Sequence, residues 1–383
     1  MDPAISLLRD LVAIDSVNPA LVPGAAGETE IGNAIAEHLR RIGLDVIRQT
    51  ADGDRANIIG VLDGRAPGPS LMLCGHIDTV GVAGMTAPFS PVERDGRLYG
   101  RGAQDMKGGV AAMIDAARVV AEHGLPTGRL IIAAVVDEEY ASCGADALVR
   151  EWKADAGIVT EPTDLQIAVA HKGFAWLEVE TRGRAAHGSR PADGRDAILY
   201  MGRVLSRLEA LTRRLQSSTP HALLGTASAH ASIIAGGREL SSYPDRCVLK
   251  LERRTIPGET VQLVWRELDE ILTALRSEDP AFDAEARLLF SRPAYELPPR
   301  HAVGETLAAA AGRVTHRVQA FGGMSFWTDA AVLAGAGVPS VLYGPGGAGL
   351  HSTEEFVVVN DVLTCRDVLA EMALAWCGGQ PAV

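Results

Sequence analysis

The sequence predicts an α/β protein, with a mostly parallel sheet flanked by helices and an inserted α+β domain. Three observations lead there. Apolar strand-like runs alternate with amphipathic helices over residues 1–174 and again over 291–383. The run Leu130–Val136 is wholly apolar, as suits a strand covered on both faces. Over residues 175–290 the order becomes β-α-β-β-α-β, the split, ferredoxin-like pattern.

Taken in order, Ile5, Leu8, Leu11 and Val12 give Ala4–Ile14 a helical apolar face. Glu28–Ile42 is a second helix, stopped by Gly43 where a helix end favours glycine. Asp45–Gln49, Asn57–Leu62 and Leu71–Cys74 read as strands, and Lys107–His123 as an alanine-rich helix. Strand Leu130–Val136, helix Gly144–Glu151 and strand Ala156–Thr160 follow. In the insertion, Phe174–Gly183 alternates as a half-exposed strand. Helix Asp196–Arg214, strands Ala229–Ile234 and Arg246–Arg254, helix Thr260–Arg276 and strand Ala284–Leu289 complete it. The closing part holds helices Ala302–Gly312 and Thr328–Leu333, strand Ser340–Leu342 and helix Val362–Trp376.

The 383 residues suffice for roughly two or three domains. A net charge of −12 without a basic cluster argues against nucleic acid and anionic membranes. The N-terminal stretch lacks the basic start and cleavage site of a signal peptide, and no apolar run is long enough to span a bilayer. Five cysteines without a C-x-x-C pair fit a reducing cytoplasm.

The chemistry gathers at strand ends. His76 closes the run Leu71–Cys74 within Gly75-His76-Ile77-Asp78, and Asp105 stands just before the helix at Lys107. An imidazole and a carboxylate suit zinc or a similar divalent metal. Asp78 is placed to accept the other N–H of His76. Asp137-Glu138-Glu139 follows Leu130–Val136, Glu161 follows Ala156–Thr160, and His351 follows Ser340–Leu342 in a glycine-rich loop. Singly, each is a surface histidine or a turn carboxylate. Together they meet at the carboxyl edge of an α/β sheet, where ligands bind. Two histidines and three carboxylates suffice for two metals sharing one bridging carboxylate, and the spare glutamate is a base. Such a centre activates water and polarises a carbonyl.

These segments also carry a resemblance. GHIDTV, PFSP, GRLYGRGAQDMKGG, DEEY, TEP, AAHGSRP and LHSTEEF occur in order over nearly the whole chain. The chain resembles the dinuclear metallohydrolase family of acetylornithine deacetylase, succinyl-diaminopimelate desuccinylase, aminoacylase and glutamate carboxypeptidase. The resemblance implies a zinc-exopeptidase-like catalytic domain in two parts, 1–174 and 291–383, and a lid and dimerisation domain at 175–290. It implies two divalent metals, zinc first and Co2+ or Mn2+ next. His76 and Glu161 would hold one, Glu139 and His351 the other, with Asp105 bridging. Glu138 becomes the general base and Asp78 the partner of His76. His187 matches the family's oxyanion-stabilising lid histidine, and Arg254 the arginine that grips the substrate carboxylate, a task suited to its fork. Gly323, in the turn Gly322–Asp329, and Ser241 fall at substrate-contacting positions. Three residues depart from the pattern: Glu252 replaces a common aspartate, Ser241 a common asparagine and Gly81 a frequent proline.

The resulting expectation is a cytoplasmic homodimer that hydrolyses the amide of a small N-acyl amino acid. A carboxypeptidase or dipeptidase acting on short peptides is the enzymatic alternative, and a non-catalytic binding protein of this fold the remote one.

Overall fold

Asp2 accepts the Ala4 amide at 2.9 Å and Pro3 takes the first helical position, so α1 spans Pro3–Val12. The structure, a computed structural model, describes residues 1–378. Helix α2 (Thr29–Arg41) buries Ile31, Ile35 and Leu39. Strands β1 (Asp45–Asp52), β2 (Arg55–Asp63) and β3 (Ser70–His76) follow, then two short strands, β4 (Val92–Arg94) and β5 (Arg97–Tyr99). Helix α3 (Gly108–His123), β6 (Arg129–Val135), α4 (Cys143–Glu151), β7 (Ala156–Val159) and β8 (Ile167–His171) come next. The middle of the chain forms β9 (Gly173–Arg182), α5 (Ala197–Gln216), β10 (Ser228–Gly236), β11 (Arg246–Thr255), α6 (Val261–Glu278), β12 (Asp283–Arg292) and β13 (Tyr295–Glu296). The chain closes with α7 (Ala302–Thr315), β14 (Phe321–Met324), α8 (Ala330–Gly335), β15 (Ser340–Leu342), β16 (Gly347–Ala348), β17 (Phe356–Val358) and α9 (Val359–Cys377).

The chain divides into two compact units. One holds Met1–Val169, Leu297–Gly323 and the chain from Thr328 onward; the other holds Ala170–Glu296 and Met324–Trp327. In the first unit the sheet runs β1-β2-β6-β3-β7-β15-β8. Its centre, β6-β3-β7-β15, is parallel, while β1, β2 and β8 pair antiparallel. The sheet is therefore mixed, not mostly parallel throughout. The links from β1 to β2 and from β2 to β3 are too short for the helical crossover that a parallel pair needs. A small sheet, β16-β17-β5-β4, forms from segments that look like loops in the sequence.

In the second unit the strand order is β10-β11-β9-β12, with every pair antiparallel. Residues alternating along β9 and β11, among them Leu177, Val179, Leu249 and Leu251, pack with Val204, Leu208, Val264 and Leu268 of α5 and α6. This unit is wider than 175–290 because pairing continues past its four strands. Tyr295 pairs with His171, the Lys172 amide donates to the Met324 carbonyl, and the Trp327 indole donates to the Pro293 carbonyl at 3.1 Å.

Candidate active site

The residues expected as ligands stand near the strand ends of the first unit. β3 is buried along nearly its whole length and ends at His76. β6 runs into Asp137-Glu138-Glu139, in a turn where Asp137 and Ser142 both adopt positive φ, 71° and 57°. Glu161 follows β7, and His351, at φ 58°, follows β15 in the loop before Glu355.

These residues meet. His76 Nε2 lies 3.0 Å from Asp105 Oδ1 and 3.9 Å from Glu161 Oε1. His351 Nε2 lies 3.3 Å from Asp105 Oδ2 and 3.2 Å from Glu139 Oε2. Each oxygen of Asp105 thus faces a different histidine. Donor atoms of His76, Asp105 and Glu139 lie within 4.8 Å of one another, as do those of His76, Glu138 and Glu161. His351 is the exposed member and marks the open side of the site.

Asp78 faces His76 and has a second task as well. The Nδ1 of His76 is 3.0 Å from the Asp78 backbone carbonyl and 3.5 Å from its carboxylate. The carboxylate also accepts the amides of Glu138 at 3.1 Å and Glu139 at 3.2 Å, and the side-chain amide of Asn18 at 2.7 Å. It therefore shapes the turn that carries both glutamates. Asn18 also donates to Asp137, which pairs with Arg55, which pairs with Glu28. Sequence reasoning missed this relay. The only local signal was Asn18 in the helix break before Pro19.

Glu355 was missed too. Its buried carboxylate accepts from Arg101 at 2.6 Å and from the amides of Gly102, Gln104 and Asp105 at 3.0, 2.9 and 3.1 Å. It ties the His351 loop to the Asp105 loop.

The electrostatics fit cations. Burial, and then the charge of Glu161, push Glu138 well above the usual carboxylate range. Burial lifts Glu161 in the same way. Burial and Asp105 push Glu139 up to about 7. Hydrogen bonds to Asp105 and Glu139 raise His351 to about 10. Burial opposes the charge on His76, yet its bonds to Asp105 and Asp78 carry it well above its ordinary value. The Oε1 of Glu139 is buried and has no hydrogen-bond partner among the described residues. Crowded carboxylates and an orphaned acceptor are what divalent cations would satisfy.

Of the remaining predicted residues, His187, Ser241 and Arg254 lie in the second unit and Gly323 in β14. Gly188 donates its amide to the Ser241 carbonyl at 2.7 Å, so the His187 and Ser241 loops are neighbours. Arg254 donates its Nε to Glu252 at 2.7 Å.

Residues 72–375 match the family described as Peptidase family M20/M25/M40. The chain is 33% identical to the acetylornithine deacetylase of Myxococcus xanthus, over 97% of both chains. Its fold is similar to that of a tripeptidase from Staphylococcus aureus (TM-score 0.82, 21% identity, 98% of both chains). It is similar as well to a dinuclear metal binding peptidase of the M20 family from Bacillus subtilis (TM-score 0.74, 17% identity, 98% of both chains). The metal-binding geometry and these matches agree: the chain belongs to peptidase family M20/M25/M40 and is a metal-dependent hydrolase of amide bonds.

Proposed function

We propose that the protein hydrolyses the amide of N-acyl amino acids, with two divalent cations, zinc first, at the site described. The observation that carries this is the Asp105 carboxylate, with one oxygen towards His76 and the other towards His351. In this reading His76 and Glu161 would hold one cation, Glu139 and His351 the other, and Asp105 would be shared between them. When bound, the pair of cations acidifies water and polarises the substrate carbonyl. Glu138 takes the proton of the attacking water and passes it to the departing amine nitrogen. Its raised proton affinity suits that return step.

The second unit supplies substrate contacts in this reading. Arg254 grips the carboxylate of the amino acid. Glu252 holds its Nε, and no protein acceptor among the described residues takes its two terminal amino groups. His187 donates to the oxyanion. Its Nδ1 lies 2.8 Å from the Ser189 hydroxyl and 3.2 Å from the Ser189 amide nitrogen, and this role uses the tautomer with its proton on Nε2. Gly323 and Ser241 border the substrate.

A homodimer through the second unit is part of the proposal. β10 is an edge strand with exposed Ile233 and Ile234, and Ile198, Leu199 and Leu240 are exposed in the same unit. An apolar unpaired edge is a template for pairing with a second copy. A cytoplasmic location is supported by five free cysteines. No helix among the described residues is long and apolar enough to cross a membrane.

The test is hydrolysis of matched N-acetyl amino acids and dipeptides by zinc-reconstituted protein. Preference for the N-acetyl series supports the deacylase reading, and preference for dipeptides replaces it with a peptidase.

A further inference from the structure

The face of the second unit's sheet turned away from α5 and α6 carries two rows of unusual composition. Arg254, Phe174 and Arg292 are aligned across β11, β9 and β12. Glu252, Trp176 and Phe290 form the next row. The alternate residues Ala175, Leu177 and Leu251 point to the helix-side core, so both rows face away from α5 and α6. The solvent face of such a sheet is ordinarily polar. Here three rings cluster on it: Phe174 and Trp176 at 4.9 Å between centroids, Trp176 and Phe290 at 5.8 Å, Phe174 and Phe290 at 5.9 Å. Trp176 and Phe290 are only half-buried.

The rings are held in place. Glu252 accepts the Trp176 indole N–H at 2.9 Å on one oxygen and Arg254 Nε at 2.7 Å on the other. The single acid of the two rows is therefore committed on both oxygens. The guanidinium of Arg254 lies over Phe174 at 5.6 Å, and that of Arg292 over Phe290 at 5.2 Å. Lys172 adds a third positive group, near enough for the Arg254 charge to depress its own proton affinity after burial has done so.

We propose that Trp176 and Phe290, packed against the buried ring of Phe174, form an aromatic shelf beside Arg254 that receives a planar, apolar side chain of the substrate's amino acid. This rests on the reading of Arg254 as the carboxylate grip. With the carboxylate on Arg254, the side chain of the same residue falls within one or two strand spacings, over the rings. An aromatic side chain gains ring contacts there. An ornithine or lysine side chain meets positive groups and an acid already neutralised. The substrate class is thus an N-acyl aromatic or large apolar amino acid, not the cationic one.

The experiment measures kcat/KM for two series, N-acetyl-X and glycyl-X, with X as phenylalanine, alanine and ornithine. Wild-type protein should favour phenylalanine over ornithine at least tenfold in whichever series it hydrolyses. The phenylalanine-to-alanine ratio should fall about tenfold or more in Trp176→Ala and in Phe290→Ala, and Trp176→Phe should recover most of it. Circular dichroism confirms folding, and Phe290→Ala carries the test if Trp176→Ala does not fold. Ornithine preferred or equal, or an unchanged ratio in a folded shelf variant, overturns the shelf and leaves the amide-hydrolase reading standing. No turnover in either series overturns the reading of the reaction and the shelf with it.

Discussion

The carboxylate of Glu355 accepts the amide of Asp105 at 3.1 Å across 250 residues of chain. Glu355 stands four positions beyond His351, so one buried acid joins the loops of two candidate ligands that share a cation in the proposed centre. Arg101 compensates its charge at 2.6 Å. Glu355→Gln keeps one acceptor oxygen but loses the ion pair and part of the amide cradle. It should weaken one of two bound cations by ~10–100-fold, the size of effect seen when a ligand loses its supporting bond. Titration of the metal-free protein against a competing chelator reads this directly. Unchanged affinity at both sites would show that Glu355 serves the fold alone.

Glu138 and Glu139 are adjacent, both bonded through their amides to Asp78, yet face different surroundings. Glu139 Oε2 meets His351, whereas Glu138 groups with His76 and Glu161. Glu138→Ala should keep nearly full metal content while turnover falls by ~10²–10⁴. Glu139→Ala should lose metal. The reverse pattern in elemental analysis would exchange the two roles.

The strand ends were legible because a parallel sheet covered on both faces leaves long apolar runs, such as Leu130–Val136, that stop abruptly at polar residues. The chemistry then stands directly after the run, as Asp137-Glu138-Glu139 and Glu161 do. What supports those residues was not legible. Asn18 and Asp78 are 60 positions apart, and Glu355 meets Gly102 over 253. Such contacts leave no local periodicity. The spacing of His76 and Asp78 told only part of the arrangement: the Asp78 carbonyl lies 3.0 Å from the ring nitrogen and its carboxylate 3.5 Å. The small sheet of β4, β5, β16 and β17 was hidden for another reason, since strands of two or three residues are too short to show alternation.

His171 should make stability depend on mildly acidic pH. Its ring is fully buried against Tyr295 and Trp327, with Nδ1 2.9 Å from the Lys172 carbonyl and no partner for Nε2 among the described residues. Burial depresses its pKa from 6.5 to about 4. The unfolded chain therefore takes up a proton near 6.5, while the folded chain resists until about 4. Between those values the unfolded state binds more protons, so this stability contribution is complete above pH 6.5 and is lost as pH falls. The whole difference corresponds to ~3 kcal/mol. The drop in Tm from pH 7.5 to pH 5 should be smaller in His171→Leu than in wild type. Equal drops would mean that other groups set the acid sensitivity.

His187 should act on the site of a neighbouring subunit. It is exposed on a loop of the second unit, held by Ser189 through Nδ1 and bridged to Ser242. A preorganised donor contributes most where a tetrahedral oxyanion forms, and every proposed ligand to the cations belongs to the first unit. Complementation separates service to the neighbour from service to its own chain. Glu138→Ala and His187→Ala proteins, each inactive alone, are mixed under conditions that allow subunits to exchange. If His187 reaches the neighbouring site, each mixed dimer has one site with both residues intact. At equal mixing about half the dimers are mixed, so activity should return to about a quarter of wild type. If His187 serves its own chain, every site keeps one lesion and none returns. Heterodimers demonstrated by differential tagging, with no recovery of turnover, would place His187 in cis or outside the reaction.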